Sequence, residues 1–182
     1  MFMAFPTSAE LTELIAPVTE ARGLDVEFIK ASPAGKKSTV QIRLDADTSP
    51  TLDELEEISN DIGELFDAAE ASGRANFGAG YTLEVSTPGT DLPLKLPRHW
   101  RRNRHRLVNV NGRVGRAGAL NDAEDEVIVV YRSKKQLSIE SLPLLGQHKA
   151  VVEIEFNEPP EEELEITGLS YDEALKRRED NK

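Results

Sequence analysis

The stretch Tyr81–Arg106, YTLEVSTPGTDLPLKLPRHWRRNRHR, decides how the chain divides. Its first residues alternate apolar and polar side chains, the period of a half-buried strand. Pro88-Gly89 comes next, and proline then glycine at two central positions predicts a type II turn. Leu92-Pro93-Leu94-Lys95-Leu96-Pro97 follows. Its two prolines fix their own φ and restrict their predecessors, which favours an extended connector between domains. The stretch ends in Arg98–Arg106, nine residues holding five arginines, two histidines and the chain's one tryptophan.

Acidic sequence lies on both sides of that cluster. Residues 1–91 carry 17 acids and 6 bases, residues 92–121 no acid and 8 bases, and residues 122–182 carry 16 acids and 8 bases. A net charge of −11 argues against nucleic acid only if the charge is uniform. Salt screens distant acids beyond about 8–10 Å, so a local island can present its own sign. Arginine's planar fork pairs bidentately with phosphate and stacks on bases. Lys95, Arg98, Arg101, Arg102, Arg104 and Arg106 are therefore the candidate RNA-contacting residues. Pairing of these arginines with the acidic flanks of the same chain is the competing reading. Trp100 reads as an anchor fixing the connector to a core.

Upstream, Thr7 and Glu10 form a capping-box pattern, and Leu11, Leu14, Ile15 and Val18 then mark one face of a helix over 7–22. Pro17 should bend or shorten it, and Gly23 should stop it. Leu24, Val26 and Phe28 alternate with acids as a strand. SPAGKKS (32–38) is turn chemistry, and Val40, Ile42 and Leu44 alternate again, so a hairpin is expected. Thr51 opens a second helix with Leu52, Leu55, Ile58, Ile62, Leu65 and Phe66 as its core stripe. Residues 71–80 read as a loose segment before the strand at Tyr81. The order α-β-β-α-β predicts two helices over one face of a small mixed sheet in an N-terminal domain, residues 1–91.

Beyond the connector (92–97), the runs 107–110, 112–120, 126–131, 136–139 and 151–156 are short and separated by turn signals. They predict a small all-β barrel or sandwich over 98–157 and an α+β chain as a whole. Residues 158–182 are acidic with scattered apolar positions, and read as a poorly ordered tail with a short helix near 170–178.

Catalytic chemistry is not legible. The three histidines are not at metal-ligand spacing, and Ser86 has no activating base nearby in sequence. The glycines Gly78 and Gly80 precede a strand, whereas a dinucleotide fingerprint follows one. No catalytic set, metal or cofactor is expected. Cysteine is absent, which suits a reducing compartment. With neither a signal-peptide pattern nor a membrane-length apolar run, a cytoplasmic protein is expected.

The pattern Tyr81-x-Leu83-Glu84-Val85-Ser86-Thr87-Pro88-Gly89-x-Asp91-x-Pro93-Leu94 resembles the RimP ribosome maturation factors, as do the α-β-β-α-β order and the small β domain after it. In that family an LEVSSPGxDRPL stretch ends the N-terminal domain. The resemblance implies a non-enzymatic, monomeric assembly factor with a second domain like an SH3 or Sm barrel. It also implies binding to the free small ribosomal subunit, through rRNA and ribosomal proteins. Glu84, Ser86, Thr87, Pro88, Gly89, Asp91 and Pro93 would then form an interdomain structural motif. Thr87 replaces the usual second serine, and Leu92 stands where the family usually has arginine, so that arginine's contacts do not carry over. The alternative is an interaction module whose acidic surface docks a basic ribosomal protein, with RNA contact incidental.

Overall fold

The computed structural model describes residues 4–180, and the chain falls into two compact units that divide between Pro88 and Gly89.

In the first unit, helix α1 spans Ser8–Ala21 and helix α2 spans Leu52–Ala71. Strands β1 (Asp25–Ser32), β2 (Ser38–Asp45) and β3 (Tyr81–Ser86) form a sheet in the order β1-β2-β3. The β1–β2 pair is antiparallel and the β2–β3 pair parallel. Both helix starts are set locally. Thr7 Oγ1 accepts from Glu10 N and the Glu10 carboxylate from Thr7 N, while Thr51 Oγ1 accepts from Glu54 N. Both helix ends are Schellman motifs. Gly23 and Gly73 have φ of +63° and +78°, and the following residues, Leu24 and Arg74, donate back to Thr19 and Ala69. Pro17 lies inside α1 without ending it. It forfeits one backbone bond, but Leu11, Ile15 and Thr19 stay buried on one face across it.

Val40, Ile42 and Leu44 of β2 meet Leu11, Ile15, Ile58, Ile62 and Phe66 in one core. Three readings of this unit need correction. A bulge between Val26 and Phe28 breaks the β1 alternation, so that Ile29 and Ala31 pair with Ile42 and Val40 on the core face. Phe28 moves opposite Arg43, whose guanidinium lies 5.4 Å from its ring. Leu52, the first residue of α2, is 85% exposed and takes no part in the core stripe. The segment 71–80 contributes two core residues, Ala75 and Phe77. The Phe77 ring stacks near Phe66 and Tyr81, and its N–H donates to Glu70.

In the second unit, the short helix α3 (Pro97–Arg102) precedes β4 (Leu107–Val110), β5 (Arg113–Leu120), β6 (Glu126–Ser133), β7 (Gln136–Pro143) and β8 (Ala150–Val152). These form an antiparallel sheet in the order β7-β6-β5-β4-β8. Its outer strands, β7 and β8, do not pair, so the small-barrel expectation is met only as a five-stranded open sheet. Asn111 and Gly112, both at positive φ, link Val110 to Arg113 as the two-residue hairpin their sequence predicts. Strand β6 is apolar along its length because both faces are covered. Val127, Val129 and Tyr131 face a core with Trp100, while Ile128 and Val130 face a second one.

That second core overturns the expected disorder of the tail, while the short helix expected near 170–178 is present in it. Helices α4 (Glu161–Thr167) and α5 (Tyr171–Asp180) bury Ile166 and Ala174 against Ile128, Val130 and Ile139. Of the tail's sparse apolar positions, Ile166, Leu169, Tyr171, Ala174 and Leu175 reach this core. The connector is also part of this unit: Leu94 is buried beside Trp100 and donates to the Ala150 carbonyl at 2.7 Å.

Two glycines, one inside α2 and one just past its end, test the local account. Gly73→Ala should destabilise the first unit by about 1 kcal/mol, the cost of a side chain in the left-handed region. Gly63→Ala, in the helix interior with open space at its Cβ, should stabilise it by about 0.5–1 kcal/mol. Urea midpoints followed by circular dichroism read both.

Candidate nucleic-acid interface

Helix α3 is six residues long, too short to hold itself together in water. Pro97 at its first turn carries a preset φ. His99 Nδ1 accepts from the backbone N–H groups of Lys95 and Leu96, both at 3.1 Å. Trp100, fully buried, nails the helix to the sheet with Leu94, Val108 and Ala117, bearing out its reading as an anchor. Burying its indole contributes about 4 kcal/mol of transfer free energy. Its Nε1 has no hydrogen-bond partner, an opposing cost of about 1–3 kcal/mol.

Rigid seating of Trp100 sorts the cationic side chains around it. Lys95, Arg101 and Arg106 are exposed, and Arg98 and Arg102 half-buried. Arg101 makes a long ion pair with Glu124 at 3.8 Å, and Arg106 donates to Asn103 Oδ1. Arg104 points inward. Its Nε donates to the Thr167 carbonyl at 2.7 Å and its Nη2 to the Leu169 carbonyl at 2.8 Å. A cation there caps the C-terminal end of α4 and complements its dipole. His105, held at φ +77°, joins the same contact through Nδ1 and Thr167 Oγ1 at 2.8 Å. Burial, Arg104 and Arg116 together hold its pKa below the ordinary histidine value.

The residue that sequence reasoning passed over is Arg116, 1% exposed in the middle of β5. Its guanidinium donates bidentately to Glu155, to Glu163 at 3.1 Å and to the His105 carbonyl at 2.8 Å. Glu163 also accepts from Arg132 at 2.9 Å. Arg116 thus ties β5 to the segment after β8, to α4 and to the loop before β4. Burial works against its charge, but Glu155 and Glu163 outweigh it and raise its pKa. The hydrogen bond from Arg116, opposed by desolvation, holds the Glu155 carboxyl below the usual carboxylate range. The pattern that could have exposed it is an arginine in the middle of a strand's apolar run, in a chain whose tail is rich in glutamate.

Of the motif residues, Glu84 and Ser86 lie exposed on β3, while Thr87, Pro88 and Gly89 continue it without secondary structure. The expected type II turn is not formed. Gly89 is not at positive φ, and the chain turns instead at Thr90-Asp91. Pro93 is half-buried next to Leu94. Among the described residues no helix is long and apolar enough to cross a membrane.

Residues 14–91 match the family described as the RimP N-terminal domain. The chain is 55% identical to the ribosome maturation factor RimP of Corynebacterium diphtheriae, over 99% of this chain and 100% of that one. It is 50% identical to the protein of that name from Corynebacterium aurimucosum, covering 93% and 94%. For that of Corynebacterium urealyticum the identity is 38%, over 92% and 93%.

Arg116→Ala leaves two carboxylates without their shared cation and should cost about 3–5 kcal/mol. Arg113→Ala, which breaks an exposed pair with Glu140, should cost about 1 kcal/mol or less. Trp100 fluorescence during urea unfolding reports this unit. Because the Glu155 pKa is depressed on folding, its contribution is complete above the unfolded value near 4.3. It should be lost as pH falls through the folded value, and Arg116→Ala should remove that acid-side slope.

Proposed function

The chain belongs to the RimP family of ribosome maturation factors, and from that membership we propose that it binds the free small ribosomal subunit and assists its assembly by binding rather than catalysis. The protein acts in the cytoplasm as a monomer, and rRNA and ribosomal proteins are its partners. The second unit is the family's SH3-like module, and α3 with the loop after it is the RNA-facing element.

One observation carries this reading. Exposed Arg101 and half-buried Arg98 and Arg102 lie on a short helix fixed by a buried tryptophan, and exposed Lys95 and Arg106 flank it, in a segment of 30 residues without an acid. Arginines presented on a seated element lose less freedom on meeting phosphate than arginines on a loop would. Arg104 is excluded from the contact set because its Nε and Nη2 donate to carbonyls at and just past the end of α4.

Replacing Arg98, Arg101 and Arg106 with glutamate should abolish co-sedimentation with free small subunits while leaving the Trp100 emission maximum and urea midpoint unchanged. Arg104→Glu should instead lower the urea midpoint. Binding of wild type to single-stranded RNA through about four phosphates should weaken with a log-salt slope near −3. Undiminished co-sedimentation of the triple variant would overturn the role given to these arginines.

A further inference from the structure

Strand β3 is an edge strand. It pairs with β2 along one side from Tyr81 to Ser86, and the sheet ends there. An exposed edge presents unpaired backbone donors and acceptors, which proteins ordinarily blunt or cover. The opposite edge of this sheet is managed in that way: β1 carries the bulge at Val26/Phe28, and Ser8 Oγ donates to the Ile29 carbonyl. Within the first unit, among the described residues, β3 has no comparable bulge or side-chain bond along its outer edge. Beside it lies a groove of about 630 Å³ between the strand and the first turns of α2. Leu52, Leu55, Leu83 and Val85 supply its apolar lining, and Glu56 and Glu84 are its only charged side chains. The 85% exposure of Leu52, which contributes nothing to the core, is explained if its partner is intermolecular.

An edge strand flanked by a helix is a geometry that accepts an extended peptide as an added strand. Main-chain bonds supply affinity, and the groove reads alternate side chains. Charge selects the occupant. Two glutamates line the groove without a cation, in a unit where acids outnumber bases 17 to 6 over residues 1–91. We propose that the groove between β3 and α2 is a docking site for an extended, lysine- or arginine-rich polypeptide segment with apolar side chains at alternate positions, bound by strand addition to β3. Six residues of β3 span about 20 Å, so a segment of six to eight residues fills the edge. This rests on and deepens the reading in which ribosomal proteins are partners, by giving a basic segment a site. It concerns the other unit and its test uses no ribosome, so either can fail alone.

The test is titration of the ¹⁵N-labelled full chain with an acetylated, amidated (Lys-Val)₄ octapeptide. Amide shifts should centre on Leu83–Thr87 and the first three turns of α2. Binding should be lost with (Glu-Val)₄, and also with (Lys-Val)₄ methylated at every backbone nitrogen, which keeps its charge but cannot donate. Glu56→Lys combined with Glu84→Lys should weaken binding by about tenfold or more. The proposal is overturned if (Lys-Val)₄ fails to bind or shifts amides elsewhere. Equal binding by the methylated peptide, or an octauridylate shifting the same β3 amides, would overturn it too.

Discussion

The second unit depends on one buried cation. Arg116 sits in the middle of β5 with its guanidinium out of water, a position that is unfavourable unless carboxylates meet it with good geometry. Glu155 and Glu163 come from two separate segments to do so. Much of what lies after β8 follows from that requirement. The chain past Val152 is drawn across β5, α4 is fixed at its first turn through Glu163, and Arg104 secures the other end of the same helix. Apolar contacts of Ile166 and Ala174 then close the second face of the sheet.

This requirement divides the arginine-rich segment into two populations with different work. Arg104 and Arg116 are committed inward to the acidic C-terminal segment, so the competing reading of intramolecular pairing holds for part of the basic island. Arg101 and Arg106 face solvent, where a weak ion pair such as Arg101–Glu124 can exchange for phosphate at little cost. The acidic C-terminal helices therefore need not mask the outward cations. Their charge is spent on Arg116, Arg132 and one another, as in the Arg177–Glu165 pair.

What was legible in the sequence is what local physics determines. Thr7 with Glu10, Thr51 and Gly23 specify helix boundaries of the first unit through neighbours a few residues away, whereas the same role of Gly73 lay inside a segment read only as loose. Asn111-Gly112 specifies its hairpin in the same way. What was not legible depends on distant partners. Arg116 and Glu163 are 47 residues apart, and Arg104 and Thr167 are 63 apart, so an acid-rich tail of low hydrophobicity reads as disordered until its cations are located. The β1 bulge likewise cannot be read from an alternation that continues unbroken through Phe28. At the candidate interface, the anchoring role of Trp100 was legible, whereas the inward turn of Arg104 was not.

In the free protein the acidic C-terminal segment is docked on the sheet of the second unit, so it does not mask the solvent-facing cations around α3. Amide hydrogen exchange of the unbound full chain tests it most directly. The account predicts protection over α4 and α5 approaching that of β6, since docking buries both helices against the sheet. Exchange of residues 161–180 at unfolded-chain rates, with β6 still protected, would contradict it.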